Sequence, residues 1–380
     1  MKLNIGTDEH SATQSAVFFW TIVEGDGAKE PSLAGYEYGT SIAFGSRVTA
    51  DISGIYFSKN ISGLTAGREY YVRAFAVIDG KTWYSETVSV KTESSGAGAV
   101  SGARYTFSDC CEFPATNVAE GTTTTSGYNS SYGDRWYATS TKTAGQTVVT
   151  HTFNDGGFVR NYSMLYDAGK KCALWTACAF NSTTWKDANV GRNEKWGADP
   201  ALPESDQPRL GSSYTGNYSR GHQIASGDRQ TTKQQNTQAF YYSNMTPQNQ
   251  TLNGGNWAQL ENAVQSHGNA TSGRDTLYMV TGPIFDSGYS STSDKSGTKC
   301  PVPSRYYKCL MKCSFNAAGE VTVAKGVAYL TTGNNASANT AYSNWVTTID
   351  EIESITGFDF FTNVPKSLQD AAEASRTPLF

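Results

Sequence analysis

Residues 54–92 read GIYFSKNISGLTAGREYYVRAFAVIDGKTWYSETVSVKT, and their period of two constrains the fold more than any other feature of the chain. Tyr70, Val72, Ala74 and Ala76 fall on one face of a strand, and Tyr71, Arg73 and Phe75 on the other. IDGK supplies a hairpin turn and SETVSV a closing edge strand. Upstream, AVFFWTIV (16–23) has the apolar run of a buried strand. The first ninety or so residues are therefore short strands broken by turns, an all-β unit.

Composition extends this reading to the rest of the chain. With 37 glycines, 22 tyrosines and abundant Ser, Thr and Asn, strands and turns are favoured over long helices. At 380 residues there is room for two or three domains and a substantial core. No stretch approaches the roughly 18 apolar residues of a membrane span. The formal net charge of -4 argues against a globally basic nucleic-acid binder. Locally the sign reverses: from Arg160 to Lys233 there are ten Lys/Arg against seven Asp/Glu. Seven cysteines occur with no CxxC spacing, so a zinc site is not expected. They read as mostly buried thiols, with room for one or two disulfides. MKLNIGTDEHSATQ carries no apolar leader. Either the protein is cytosolic or its leader is not part of this sequence, and the polar, Tyr/Thr/Gly-rich composition leads us to expect the second, a secreted, cell-surface or periplasmic protein.

Three segments follow: a β unit over 1–93, a small-residue linker over 94–102 within ESSGAGAVSG, and a second domain over 103–380. In the first, LTAGREY sets Leu64 six residues before Tyr70. This resembles the tyrosine corner of β-sandwich domains, and the segment resembles a fibronectin type III-like module. The second domain reads as mixed α and β. CALWTACAF (172–180) and TLYMVTGPIF (276–285) are buried strands, and RYYKCLMKCSF (305–315) and VAKGVAYLTT (323–332) are neighbours in a sheet. Helices are expected at 255–266 and 343–357.

One of only four histidines lies in YSRGHQIASGDRQ (218–230). On a strand, Arg220 and His222 share a face, pairing a base of near-neutral pKa with a guanidinium fork suited to phosphate. Gly221 between them permits close backbone approach. Downstream, Asn253, Trp257 and Glu261 are spaced i, i+4, i+8. On a helix, Trp257, Leu260 and Val264 face the core and leave Asn253 and Glu261 at the rim. An amide oxygen and a carboxylate there suit a hard, hydrated cation such as Mg²⁺. Singly these residues have ordinary readings: a lone His beside an Arg is usually structural, an Asn ahead of a helix is usually a cap, and a rim Glu is usually solvated. Their combination and order carry the argument.

SRGHQIASGDR, then YYSNMTPQ, then LNGGNWAQLE, resembles the signature of the DNA/RNA non-specific endonucleases of the ββα-metal (His-Me finger) class. KWGADPALP, TGPIF, VPSRYYK and IESITGFDFF resemble flanking elements, so the likeness spans roughly 155–365. It implies an α+β nuclease domain with a central antiparallel sheet and a Mg²⁺-dependent enzyme, with Mn²⁺ as a substitute, that hydrolyses the phosphodiester bonds of DNA and RNA. It further implies His222 as the general base, Asn253 as the sole protein ligand of the metal, and Glu261 orienting a metal-bound water. Asn244 supports the network, and Arg220 and Arg192 contact the scissile phosphate. The chain departs from the pattern at Ser219, where the family has Asp. The lost charge is expected to weaken metal affinity, with Asp228 a candidate to restore it. The alternative is a catalytically weakened nuclease-fold protein acting as a secreted binding or adhesion module. A nuclease narrowed to one substrate is a third reading.

Overall fold

A computed structural model describes residues 1–7, 16–25, 28–62, 64, 68–92, 110–116, 118, 124–155, 158–181, 190–269, 275–316 and 319–380. The expected linker, 94–102, lies outside the described residues. Two compact units emerge, Met1–Gly96 and Ala97–Phe380. Among the described residues no helix is long and apolar enough to cross a membrane.

Among its described residues the first unit has nine strands: β1 (Lys2–Thr7), β2 (Ala16–Glu24), β3 (Leu33–Gly39), β4 (Ser46–Thr49), β5 (Asp51–Ser53), β6 (Tyr56–Ser62), β7 (Glu69–Ile78), β8 (Lys81–Tyr84) and β9 (Val88–Lys91). They form two antiparallel sheets, β1-β2-β6-β5 and β4-β3-β7-β8, with β9 also on β7. The alternation read from the sequence decides which side chains meet. Val17, Phe19 and Phe57 of one sheet join Tyr36, Val72 and Ala74 of the other in a single core. Leu64 and Tyr70 are both buried. Residues 65–67, the middle of the corner they would frame, lie outside the described residues.

The second unit is built on a nine-stranded antiparallel sheet. Its strands are β10 (Thr124–Asn129), β11 (Asp134–Ser140), β12 (Gln146–Asn154), β13 (Phe158–Asp167), β14 (Cys172–Phe180), β17 (Thr276–Ile284), β20 (Arg305–Phe315), β21 (Val321–Leu330) and β22 (Val346–Thr347), in that spatial order. A hairpin of β15 (Tyr218–His222) and β16 (Met245–Asn249) stands apart from it, as does a ribbon of β18 (Ser291–Ser293) and β19 (Lys299–Pro301). The large sheet is buried on both faces, which is why CALWTACAF and TLYMVTGPI read as unbroken apolar runs rather than alternations. On one face Trp175, Tyr278 and Tyr307 pack with Ile349, Phe360 and Phe361. On the other, Cys178, Leu277 and Met279 pack under Leu252, Trp257 and Leu260.

The first expected helix extends further than its pattern suggested. Helical turns run from Gln250 to Asn269, with a break at Gly255 (φ -104, ψ -122). The second is shorter: only Ile349–Thr356 is α-helical, capped by the Thr348 hydroxyl. Ahead of it, Val346 and Thr347 pair with β21. Two β-branched residues beside an open sheet edge gain more from ladder bonds than from extending a helix.

Trp175 is fully buried and meets Phe113 edge-on at 5.7 Å. Trp175→Ala should cost about 3–5 kcal/mol of unfolding free energy, read as a lower urea midpoint. A midpoint unchanged from the parent would show that this face is not core.

Candidate active site

The site grows from the β15–β16 hairpin. Arg220 sits opposite Pro247, and His222 opposite Met245. Gly221 is required by packing: a Cβ there would lie 2.4 Å from the Gln248 Cβ and 2.6 Å from its Oε1. Beyond His222 the chain is clamped by Asn244. The Asn244 side chain accepts from the Ile224 N–H (3.0 Å) and donates to the carbonyls of Ile224 (3.0 Å) and Ala239 (2.8 Å). Asn244 thus fixes the turn after His222 from behind and does not itself reach the pocket.

The helical run supplies the opposite wall. Its cap is Asn249, whose Oδ1 accepts from the N–H groups of Thr251 (3.0 Å) and Leu252 (3.3 Å). Asn253, for which capping was the ordinary reading, lies a turn further in and lines the pocket. At the break a glycine is required, since a Cβ at Gly255 would come within 2.4 Å of the Asn339 Oδ1, which accepts from the Asn256 N–H at 2.7 Å. Trp257, Leu260 and Val264 are buried against the sheet, and Glu261 faces the same space as Asn253.

Arg192, Arg220, His222, Asn253 and Glu261 therefore surround one pocket of about 550 Å³, with Ser219 and Trp196 also in its wall. The His222 ring packs against Trp196 (5.6 Å between centroids) and edge-on to Phe240 (5.3 Å). Its Nε2 is buried and has no hydrogen-bond partner within the protein. Burial, with the Arg192 and Arg220 charges adding to it, pushes the imidazole down to about 3. His222 is thus neutral, a proton acceptor rather than a cation. The Arg220 guanidinium lies 3.5 Å over the Trp196 ring and donates from Nη1 to the Leu210 carbonyl (3.0 Å). The Arg192 guanidinium covers Phe240 at 4.8 Å and bonds Glu194 through Nε (2.6 Å).

Beneath the helix side, burial pushes the Glu261 carboxyl up to about 7, with Lys308 opposing and Asp228 reinforcing that shift. Lys308 is wholly buried, its ammonium 4.8 Å from the Trp257 ring centroid. Asp228 does not line the pocket in place of the charge lost at Ser219. Its oxygens accept from the Ala225 N–H (3.0 Å) and the Gln265 amide (3.1 Å). Opposite Ser219 on the partner strand is Gln248, whose amide N and O are both buried without a partner. Asn253 and Glu261, both in the pocket wall, offer oxygen donors with little net charge. That set fits a hard divalent cation held largely through its hydration shell, such as Mg²⁺.

The family model for DNA/RNA non-specific endonucleases matches residues 142–367, well over half of the sequence. The chain belongs to that family. It is a hydrolytic nuclease, and nucleic acids are its substrates. Members of the family are metal-dependent, generally on Mg²⁺. A nuclease from Nostoc sp. strain PCC 7120 is 29% identical over 235 residues, covering 61% of this chain and 82% of that protein. Nuclease C1 of Cunninghamella echinulata is 26% identical over 230 residues, covering 57% and 88%. A nuclease from Serratia marcescens is 27% identical over 215 residues, covering 55% and 75%.

Within the family frame, the sequence reading passed over Trp196, Phe240, Gln248 and Lys308. Trp196 and Gln248 lie inside segments already singled out, KWGADPALP and YYSNMTPQ, but an aromatic or an amide in a motif carries no sign of what it will touch. Lys308 shares its strand with Arg305 and Lys312, so nothing in the sequence marks it as the fully buried cation of the three. For His222, the expected outcome of histidine-labelled NMR is a ring that stays neutral across the neutral pH range, assigned by comparison with His222→Gln. Titration near the ordinary value of about 6.5 would show that water and not protein surrounds the ring.

Proposed function

We propose that the chain is a Mg²⁺-dependent, sugar-non-specific endonuclease with His222 as general base. The observation that carries this is the neutral, unpartnered Nε2 of His222 in one pocket with two arginines and the Asn253/Glu261 wall. Arg220 and Arg192 bind the scissile phosphate through charge-assisted hydrogen bonds. The entering phosphate opposes the very charges that hold the imidazole down, so basicity rises when substrate is present. His222 then takes the proton of the attacking water at Nε2, a role worth roughly 10²–10⁴-fold. Asn253 would hold the metal ion, which when bound would supply Lewis acidity to the reacting phosphate. Glu261 accepts hydrogen bonds from water on the same side, and Asn244 keeps the turn after His222 in register.

β15, β16 and the helical run that follows are read as a ββα-metal motif, supported by their order and by where they place His222 and Asn253. The first unit is read as a fibronectin type III-like sandwich. Its sheet order, β1-β2-β6-β5 against β4-β3-β7, follows the Greek-key arrangement of immunoglobulin-like folds. The two domains and the joint at 94–102 are read as an accessory module ahead of an enzyme. The weakened, adhesive alternative loses ground because every group the chemistry needs is gathered in one place.

His222→Ala should lower plasmid cleavage at least about a hundredfold in Mg²⁺ while leaving circular dichroism and the melting midpoint near the parent's. A folded variant that cuts within tenfold of the parent would remove His222 from the role.

A further inference from the structure

The loop that carries Arg192 and Trp196 is held by residues the mechanism does not use, and part of that hold comes from ahead of the family match. His151 on β12 is fully buried between two buried carboxylates. Its Nδ1 lies 2.7 Å from Asp134 Oδ2 and its Nε2 3.0 Å from Asp199 Oδ2. Two carboxylates facing both ring nitrogens require both to carry protons, so His151 is a buried imidazolium. Burial alone would discharge it, but the two acids outweigh burial and lift it to about 10. Each acid is tied further. Asp199 Oδ2 also accepts from the Ser243 hydroxyl (2.6 Å), one residue before the Asn244 clamp. Asp134 Oδ2 accepts from the Tyr241 hydroxyl (3.1 Å), and its Oδ1 from the Thr152 N–H (3.1 Å).

The β10–β11 turn adds a second hold on the same loop. The Tyr132 hydroxyl donates to the Lys195 carbonyl (2.8 Å), and the Lys195 ammonium donates back to the Ser131 carbonyl (3.0 Å). The Tyr132 ring stacks on Tyr241 at 4.5 Å. Gly197 in turn accepts from the Tyr242 N–H (2.9 Å). These bonds bracket Trp196, on which the Arg220 guanidinium rests. β10 and β11 end at Ser140, and the family match begins at residue 142.

We propose that the β10–β11 hairpin is a working part of the catalytic unit: Tyr132, Asp134 and His151 are positioning residues that hold the 192–199 loop, and with it Trp196 and the Arg220 guanidinium that rests on it, against the nuclease pocket. The inference rests on the reading of that pocket given above. Its physical basis is that small misplacements of a phosphate-binding group cost rate far more than they cost fold stability. A buried ionic triad bonded on every side admits only one arrangement of the elements it joins.

Deleting His151 would strand two buried carboxylates and unfold the unit, so the test removes single hydroxyls. In the full chain, Tyr132→Phe and Ser243→Ala should each lower kcat on plasmid DNA in Mg²⁺ by about tenfold, with KM within about twofold and the melting midpoint near the parent's. In a Trp196→Leu background the same changes should cost less than about twofold more, because the group through which they act is gone. An undiminished kcat in the parent background, or equal losses in both backgrounds, would overturn the proposal and leave the hairpin a structural annex. His222→Ala, assayed alongside, separates the two readings. If it still cuts, the pocket assignment fails. If it is silent while the hydroxyl variants are unaffected, only the positioning role fails.

Discussion

A sheet that is apolar on both faces cannot exist alone in water, and the rest of the second unit follows from that constraint. One face is covered by the C-terminal segment, through Ile349, Phe360 and Phe361. The other is covered by the helical run after β16, through Leu252, Trp257 and Leu260. Burial of that helix face fixes its rotation. Rotation places Asn253 and Glu261 on the side away from the sheet, against the hairpin that brings Arg220 and His222. The helical wall of the pocket is therefore a consequence of covering the sheet.

The same burial sets the electrostatics. A half-buried imidazole beside two arginines stays neutral, and a carboxyl over a buried floor is lifted toward neutrality. Neither group is poised by an opposite charge in direct contact. Both are poised by the absence of water, so each responds strongly to a charged substrate or ion entering the space. His151 shows the contrary device: a cation held permanently by two carboxylates, serving geometry and not proton transfer.

Much of this was legible in the residues. Period-two alternation located β7 and the solid apolar runs located β14 and β17, because side-chain direction in a strand is set locally. The motif order placed His222, Arg220, Asn253 and Glu261 in one neighbourhood, and Arg192 joined them in the pocket. The capping reading of Asn253 could be separated from the ligand reading only by finding Asn249 in the capping position. The helix expected from 343 fell short because the sheet edge that captures Val346 and Thr347 is nonlocal. The Asp134–His151–Asp199 cluster left no trace in the sequence. Its members are separated by 17 and 48 residues, and no spacing rule joins them.

Asn253 and His222 line one pocket, and the proposed chemistry requires that a metal bind beside Asn253. The most direct measurement is anomalous diffraction from crystals of His222→Ala grown with Mn²⁺ and a short oligonucleotide. A single strong peak beside the Asn253 amide oxygen, with a phosphate of the oligonucleotide against Arg220, is the expected result. A bound oligonucleotide with no anomalous peak near Asn253, or a peak at a distant set of carboxylates, would contradict it.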